Sequence, residues 1–215
     1  MAAAKYLPMR EIMGRAAVMP ILTLEDPGAA RDLARALVAG GVKVFEITLR
    51  TPAALKALEA MREAAPEALV GAGTILNATD LHRAMGAGAA FGVSPGLTPQ
   101  LAKAVRDAGF PFLPGVETTS EAMLAREMGF RELKLFPANV LGAIPWLAAI
   151  RPVFPDLVFC ATGGIKAGDV AAHLGQPNCL QCGGSWVTPA EAIAKRDWTA
   201  IEALARQAAS FKRPG

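Results

Sequence analysis

Tyrosine occurs once in this chain, at Tyr6, histidine twice, at His82 and His173, and cysteine three times, at Cys160, Cys179 and Cys182. Three thiols are too few, and odd in number, for the disulfide framework of a secreted domain, so a reducing, cytoplasmic setting is expected. Cys179 and Cys182 have a C-x-x-C spacing, yet no second pair exists and only two histidines are at hand to complete a ligand set. All three cysteines are therefore expected to be small core residues, with neither a metal nor a cofactor required. Charge is sparse too: charged residues make up 19% of the chain and the net charge is +3, with Lys195-Arg196 and Lys212-Arg213 the adjacent basic pairs. No basic run is interleaved with aromatics, which argues against a nucleic-acid partner. Long apolar runs are missing as well, and the first residues, MAAAKYLPMREIMGR, lack the continuous apolar centre of a signal peptide. Neither a membrane span nor secretion is expected.

What is abundant is apolar matter, with 53% hydrophobic residues and 21 glycines. That is too much for a disordered chain, and 215 residues suffice to bury a large core in one domain over residues 1–215. Short apolar or β-branched runs at 17–24, 44–49, 68–73, 91–94, 112–116, 132–136, 157–161 and 179–183 alternate with helical patterns. Ala30, Leu33, Ala34, Leu37 and Val38 fall on one helical face, as do Leu101, Ala104, Val105 and Ala108. A last helix near 198–211 carries Ile201, Leu204, Ala208 and Phe211 on one side, and a short helix near 10–14 precedes the first strand. Eight such strand-helix units predict an α/β fold, a single-domain (β/α)8 TIM barrel. An open doubly wound sheet is the runner-up, but eight equal units show no switch point.

In a barrel the outer strand face packs on helices and must be apolar, so parity assigns the lumen. Phe45, Ile47 and Leu49 share the outer face of the second strand, which turns Val44, Glu46, Thr48 and Arg50 inward. Leu133 and Leu135 do the same in the sixth, leaving Glu132, Lys134 and Phe136 inside. An ammonium group buried without compensation is costly, so Lys134 must either pair with a carboxylate or sit neutral. A neutral amine attacks ketones to form a Schiff base, which serves as an electron sink when a neighbouring carbon-carbon bond breaks, and Glu46 could move the protons. Parity alone leaves a structural Lys134–Glu46 ion pair equally open.

Two glycine-rich turns tilt the balance toward a ligand. Thr162-Gly163-Gly164-Ile165 and Cys182-Gly183-Gly184-Ser185-Trp186 end the seventh and eighth strands, where barrels commonly hold phosphate on backbone N–H groups. Gly71-Ala72-Gly73-Thr74 and Val93-Ser94-Pro95-Gly96 leave space at the next strand ends, and Arg50 can grip a carboxylate with Thr74 as a hydroxyl neighbour. Phe136 reads as barrel filler or as a wall for the carbon chain.

These segments, together with Phe45-Glu46-Ile47-Thr48-Leu49-Arg50-Thr51, Pro114-Gly115-Val116 and Leu133-Lys134-Leu135-Phe136-Pro137-Ala138, resemble the motifs of the 2-keto-3-deoxy-6-phosphogluconate aldolases, also called 4-hydroxy-2-oxoglutarate aldolases. The resemblance runs through nearly the whole chain. It implies a class I, metal-independent aldolase that converts a phosphorylated keto acid to pyruvate and glyceraldehyde 3-phosphate, usually as a homotrimer. It also implies Lys134 as the Schiff-base lysine and Glu46 as the acid/base, with Arg50 and Thr74 holding the carboxylate. Pro95 and Phe136 would lie beside the reacting carbons, and Thr162, Gly163, Gly164, Gly184 and Ser185 would receive the distal hydroxyls and phosphate. Departures occur at Ala161, Gly142-Ala143 and Thr23, the last where some relatives carry a phosphate-binding arginine. They keep open the galactonate epimer or an unphosphorylated keto acid as substrate. A phosphate-binding isomerase or synthase without an imine, and a non-catalytic sugar-phosphate binding protein, are the rival classes.

Overall fold

The apolar runs become parallel strands, seen in a computed structural model that describes residues 6–213. In chain order they are β1 (Val18–Leu22), β2 (Val44–Thr48), β3 (Leu69–Gly73), β4 (Gly92–Val93), β5 (Phe112–Leu113), β6 (Gly115–Val116), β7 (Glu132–Leu135), β8 (Val158–Thr162) and β9 (Cys179–Gly184). Their order in the sheet is β5-β4-β3-β2-β1-β9-β8-β7-β6. One expected strand, 112–116, is thus two, because Pro114 has no N–H to give to a ladder. The broken run still closes the ring: Ser94 N donates to Leu113 O at 3.3 Å on one side, and Lys134 N donates to Pro114 O at 2.8 Å on the other. Nine strands therefore make the eight staves of a TIM-like barrel.

Inward and outward residues separate as alternation requires. Phe45, Ile47, Leu133, Leu135 and Phe159 join the layer between barrel and helices, together with Leu33, Leu37 and Leu58. Met19, Val44, Phe91, Val93, Leu113 and Cys160 meet inside, where Met9, Ile12 and Met13 of the helix Met9–Gly14 pack against them. That short helix plugs the N-terminal end of the barrel with side chains and makes it a closed floor.

The last helix, Trp198–Ser210, starts at an Asp197 cap that accepts from Ala200 N at 3.0 Å. It buries Ile201, Ala205 and Ala208, with Leu204 and Phe211 only half-buried. Ala205 displaces Leu204 from the centre of the expected face because the helix crosses Gly40 at the end of Ala30–Ala39, where any added Cβ would strike Ala205. Cys179 and Cys182 are free and lie in the outer layer, three residues apart yet on the same side. A register shift between β8 and β9 at Phe159/Cys160 accounts for that parity break. Among the described residues no three of His, Cys, Asp or Glu gather as metal ligands, and no helix is long and apolar enough to cross a membrane.

Candidate active site

Two residues beyond the floor, the same inward rows turn polar. Val44 is followed by Glu46 and Thr48 on β2, Cys160 by Thr162 on β8, and Lys134 enters from β7. In the closed ring β2 and β7 are opposite staves, so Glu46 and Lys134 face each other across the lumen. Between them, at the C-terminal ends of the strands, lies a cavity of about 300 Å³.

Both groups are buried, Lys134 at 6% exposure and Glu46 at 1%. They are not paired: among the described residues neither oxygen of Glu46 has a hydrogen-bond partner and Lys134 makes no ion pair. The structural ion pair that parity left open is therefore absent. Lys134 Nζ instead stands 5.0 Å from the centroid of the Phe136 ring. Gly73 on the neighbouring stave makes the room for Glu46, since a Cβ there would fall on the carboxyl group itself. Cys160, the register partner of Lys134, supplies no thiolate to the amine: burial pushes its thiol up to about 12, against a smaller lowering by the Thr162 hydroxyl.

Arg50 sits exposed at the mouth, and a directed chain of hydroxyls holds it there. Thr48 Oγ1 donates to Leu22 O at 2.9 Å, so its hydrogen is committed. Thr23 Oγ1, 3.0 Å from Thr48 Oγ1, must then be the donor between them and is left to accept from Arg50 Nη2 at 2.8 Å. Thr74, the residue after β3, takes φ 61°, a left-handed conformation that costs a β-branched residue roughly 1–3 kcal/mol. Ladder bonds on both sides hold it: Leu49 N donates to Gly73 O at 2.8 Å and Ile75 N to Val93 O at 3.1 Å. Across the cavity Gly163 and Gly164 take φ of 104° and 76°, which only glycine adopts freely, and Asn139 N fixes the turn through Gly163 O at 2.9 Å.

The structure brings Glu46, Arg50, Thr74, Pro95, Lys134, Phe136, Thr162, Gly163, Gly164 and Ser185 onto one cavity wall. Gly184 is the exception. It lies buried behind the wall, where a Cβ would come within 2.5 Å of Trp186 Nε1, and Gly183 lines the cavity in its place. Beyond the β8/β9 register shift Cys182 faces the outer layer, which leaves Gly183 rather than Gly184, the residue the resemblance implied, on the lumen row. Ile21 and Ile165 also line the cavity, and sequence reasoning missed both. Ile21 was detectable in principle, since it shares a strand face with the inward Met19.

The family model for KDPG and KHG aldolases matches residues 9–204. The chain belongs to that family. A curated member of the family, the 2-dehydro-3-deoxy-phosphogluconate aldolase of Zymomonas mobilis, is 46% identical over 202 residues, covering 94% of this chain and 95% of its own. Similar folds include the crystal structure of the Zymomonas mobilis 2-keto-3-deoxy-6-phosphogluconate aldolase with 3-phosphoglycerate, at TM-score 0.91 and 45% identity, covering 95% of this chain and 96% of that one. The KDPG aldolase of Legionella pneumophila, captured with pyruvate as a covalent carbinolamine, is 40% identical at TM-score 0.92 and covers 95% and 99%.

Proposed function

We propose that this protein is a class I aldolase, an aldehyde lyase that cleaves 2-keto-3-deoxy-6-phosphogluconate to pyruvate and glyceraldehyde 3-phosphate and handles 4-hydroxy-2-oxoglutarate by the same steps. The observation that carries this reading is the unpaired, buried Lys134 facing the unpaired, buried Glu46. Lys134 Nζ adds to the C2 carbonyl to give a carbinolamine, and loss of water with proton help from Glu46 gives the iminium ion. Glu46 then takes the proton of the C4 hydroxyl as the C3–C4 bond breaks. The electron pair moves into the iminium, which becomes an enamine, and the C4 aldehyde leaves. Protonation at C3 and attack of water at C2 return pyruvate and free Lys134. The carbinolamine trapped in the Legionella relative supports this sequence of steps.

Arg50 and Thr74 hold the C1 carboxylate at the mouth, Pro95 and Phe136 flank the reacting carbons, and Thr162, Gly163, Gly164 and Ser185 receive the distal half. Gly184 acts from behind, by letting Trp186 pack. The same reading takes the enzyme as a single barrel unit, a homotrimer, located in the cytoplasm and serving sugar-acid breakdown. Three free cysteines and the exposed Val140 and Val153, which flank the apolar helix Ala143–Ile150, support it.

Borohydride reduction in the presence of pyruvate tests the chemistry. Mass spectrometry should find the three-carbon adduct on Lys134, and Lys134→Met should lose both the adduct and at least about 10⁴-fold in kcat, the scale of deleting a covalent nucleophile. An unlabelled wild-type protein, under conditions that label a known Schiff-base enzyme, would favour the isomerase or synthase class instead.

A further inference from the structure

The end of the barrel away from Lys134 has a cavity of its own. Its volume is about 320 Å³, close to that of the active-site cavity, and it lies beside the plug helix Met9–Gly14. The walls come from the entry to β1 at Arg15 and Val18, the entry to β2 at Val42, Leu180 early in β9, and the end of the last helix with the residues after it. All of these are N-terminal ends of strands or their surroundings, so the apolar floor of Met13, Met19, Val44 and Cys160 stands between this cavity and the Glu46–Lys134 lumen. No residue is shared between the two cavities. Among the described residues that line the lower one, Arg15, Lys212 and Arg213 are cations, and there is no Asp, Glu or His.

These charges are not neutralised by the protein. Lys212 and Arg213 form no ion pair among the described residues, whereas Arg31, Lys103, Lys195, Arg196 and Arg206 elsewhere on the surface each have a carboxylate. Arg15 has Glu11, 3.0 Å away, in an exposed pair one helical turn apart, and pairs of that kind are too weak to hold a guanidinium against an incoming anion. Arg213 is close enough to the base of β9 to act on it. The thiol of Cys179, next to Leu180, is held below its usual range chiefly by the Cys182 side chain, against the effect of burial, and the Arg213 guanidinium adds a smaller lowering. Three like charges around a concavity with apolar walls repel one another and focus a positive field inside it, which an anion relieves. We infer that this cavity binds a small polyanion, a molecule of metabolite size carrying two or more negative charges as phosphate or carboxylate groups, and that Arg15, Lys212 and Arg213 hold it. The ligand would join the segment entering the first strand to the segment leaving the last helix, and so stabilise the barrel from below. The inference stands apart from the aldolase reading, since it uses none of the residues at the mouth.

Inorganic pyrophosphate and citrate are the probes, one for each source of the charge. Titration calorimetry on the full chain should detect binding of at least one, and the melting temperature should rise by about 5–10 °C at a hundredfold excess over Kd. Lys212→Met combined with Arg213→Met should weaken that binding at least about 10-fold and flatten its dependence on salt, because two of the three charges are gone. Ala209→Glu, at an exposed position of the last helix that lines the cavity, sets a carboxylate among the cations and should abolish binding. Without a probe, both variants should melt as the wild type does and keep its kcat and KM, since the changed residues lie far from the mouth. Binding of pyrophosphate alone would identify phosphate as the recognised group, and binding of citrate alone would identify carboxylate. Binding of neither, or binding that survives both variants, as occupancy of the mouth would, overturns the inference.

Discussion

The two ends of the barrel are built from the same staves and serve opposite purposes. At the floor, Val44, Met19, Phe91 and Cys160 turn inward and meet the helix Met9–Gly14, and all are buried among apolar neighbours. Two residues further along β2 and β8, Glu46 and Thr162 turn inward in the same row, with no plug above them. The floor resembles any close-packed core, where each side chain gains from its neighbours. The mouth holds a carboxyl group with neither oxygen satisfied, an unpaired lysine and a threonine in a left-handed conformation. Such groups lower stability, and they persist because the rigid floor and the ladders below over-determine their positions. The difference teaches that the sheet sets the direction of a side chain, while depth along the stave decides whether it packs or reacts.

Substitutions at the two ends should separate activity from stability. The largest effect belongs to the mouth: Glu46→Gln should cut kcat by about 10²- to 10⁴-fold, the usual contribution of a general acid/base. The melting temperature should hold or rise, because the amide keeps the volume and removes a buried acid with no partner. A variant that melts lower and still turns over would reverse the roles assigned to the two ends. Phe91→Ala, at the floor, should do the converse. It empties a fully buried site whose ring packs against Gly71, and should cost about 3–5 kcal/mol, or roughly 10 °C in Tm. The activity per folded molecule should stay as it was, as thermal melts and assays below the transition would show.

Much of this contrast is legible in the residues themselves. Alternation in Val44-Phe45-Glu46-Ile47-Thr48 is enough to turn a carboxylate inward, because Phe45 and Ile47 need the helices. The same argument places Lys134. Alternation carries no information on reach, so whether Glu46 and Lys134 touch was open until the staves were seen to stand opposite one another. It also fails wherever the ladder slips: the shift at Phe159/Cys160 puts Cys179 and Cys182 on the same side, and Pro114 splits a strand that reads as continuous. Loops escape it altogether. Lys166 follows the glycine turn with no periodic pattern to say that it borders a cavity, and only the folded chain puts it on the same wall as Trp186.

The smallest effect expected comes from Thr23, which lines the outer part of the mouth and accepts a hydrogen bond from Arg50, the proposed holder of the carboxylate. Its hydroxyl accepts from Arg50 Nη2 at 2.8 Å while its own hydrogen goes to Thr48. Thr23→Val keeps the shape and removes the acceptor, so Arg50 regains rotamer freedom that substrate binding must then remove. The net worth of such a hydrogen bond is about 1 kcal/mol, which is roughly 5-fold in KM for the keto acid. Little change in kcat should accompany it, since in the proposed role Arg50 would meet the carboxylate before and after the bond breaks and bind ground and transition states alike. Thr23→Ser should retain the wild-type KM. A loss confined to kcat would instead make Thr48 the affected residue, acting through its neighbour Glu46 on β2 rather than through Arg50.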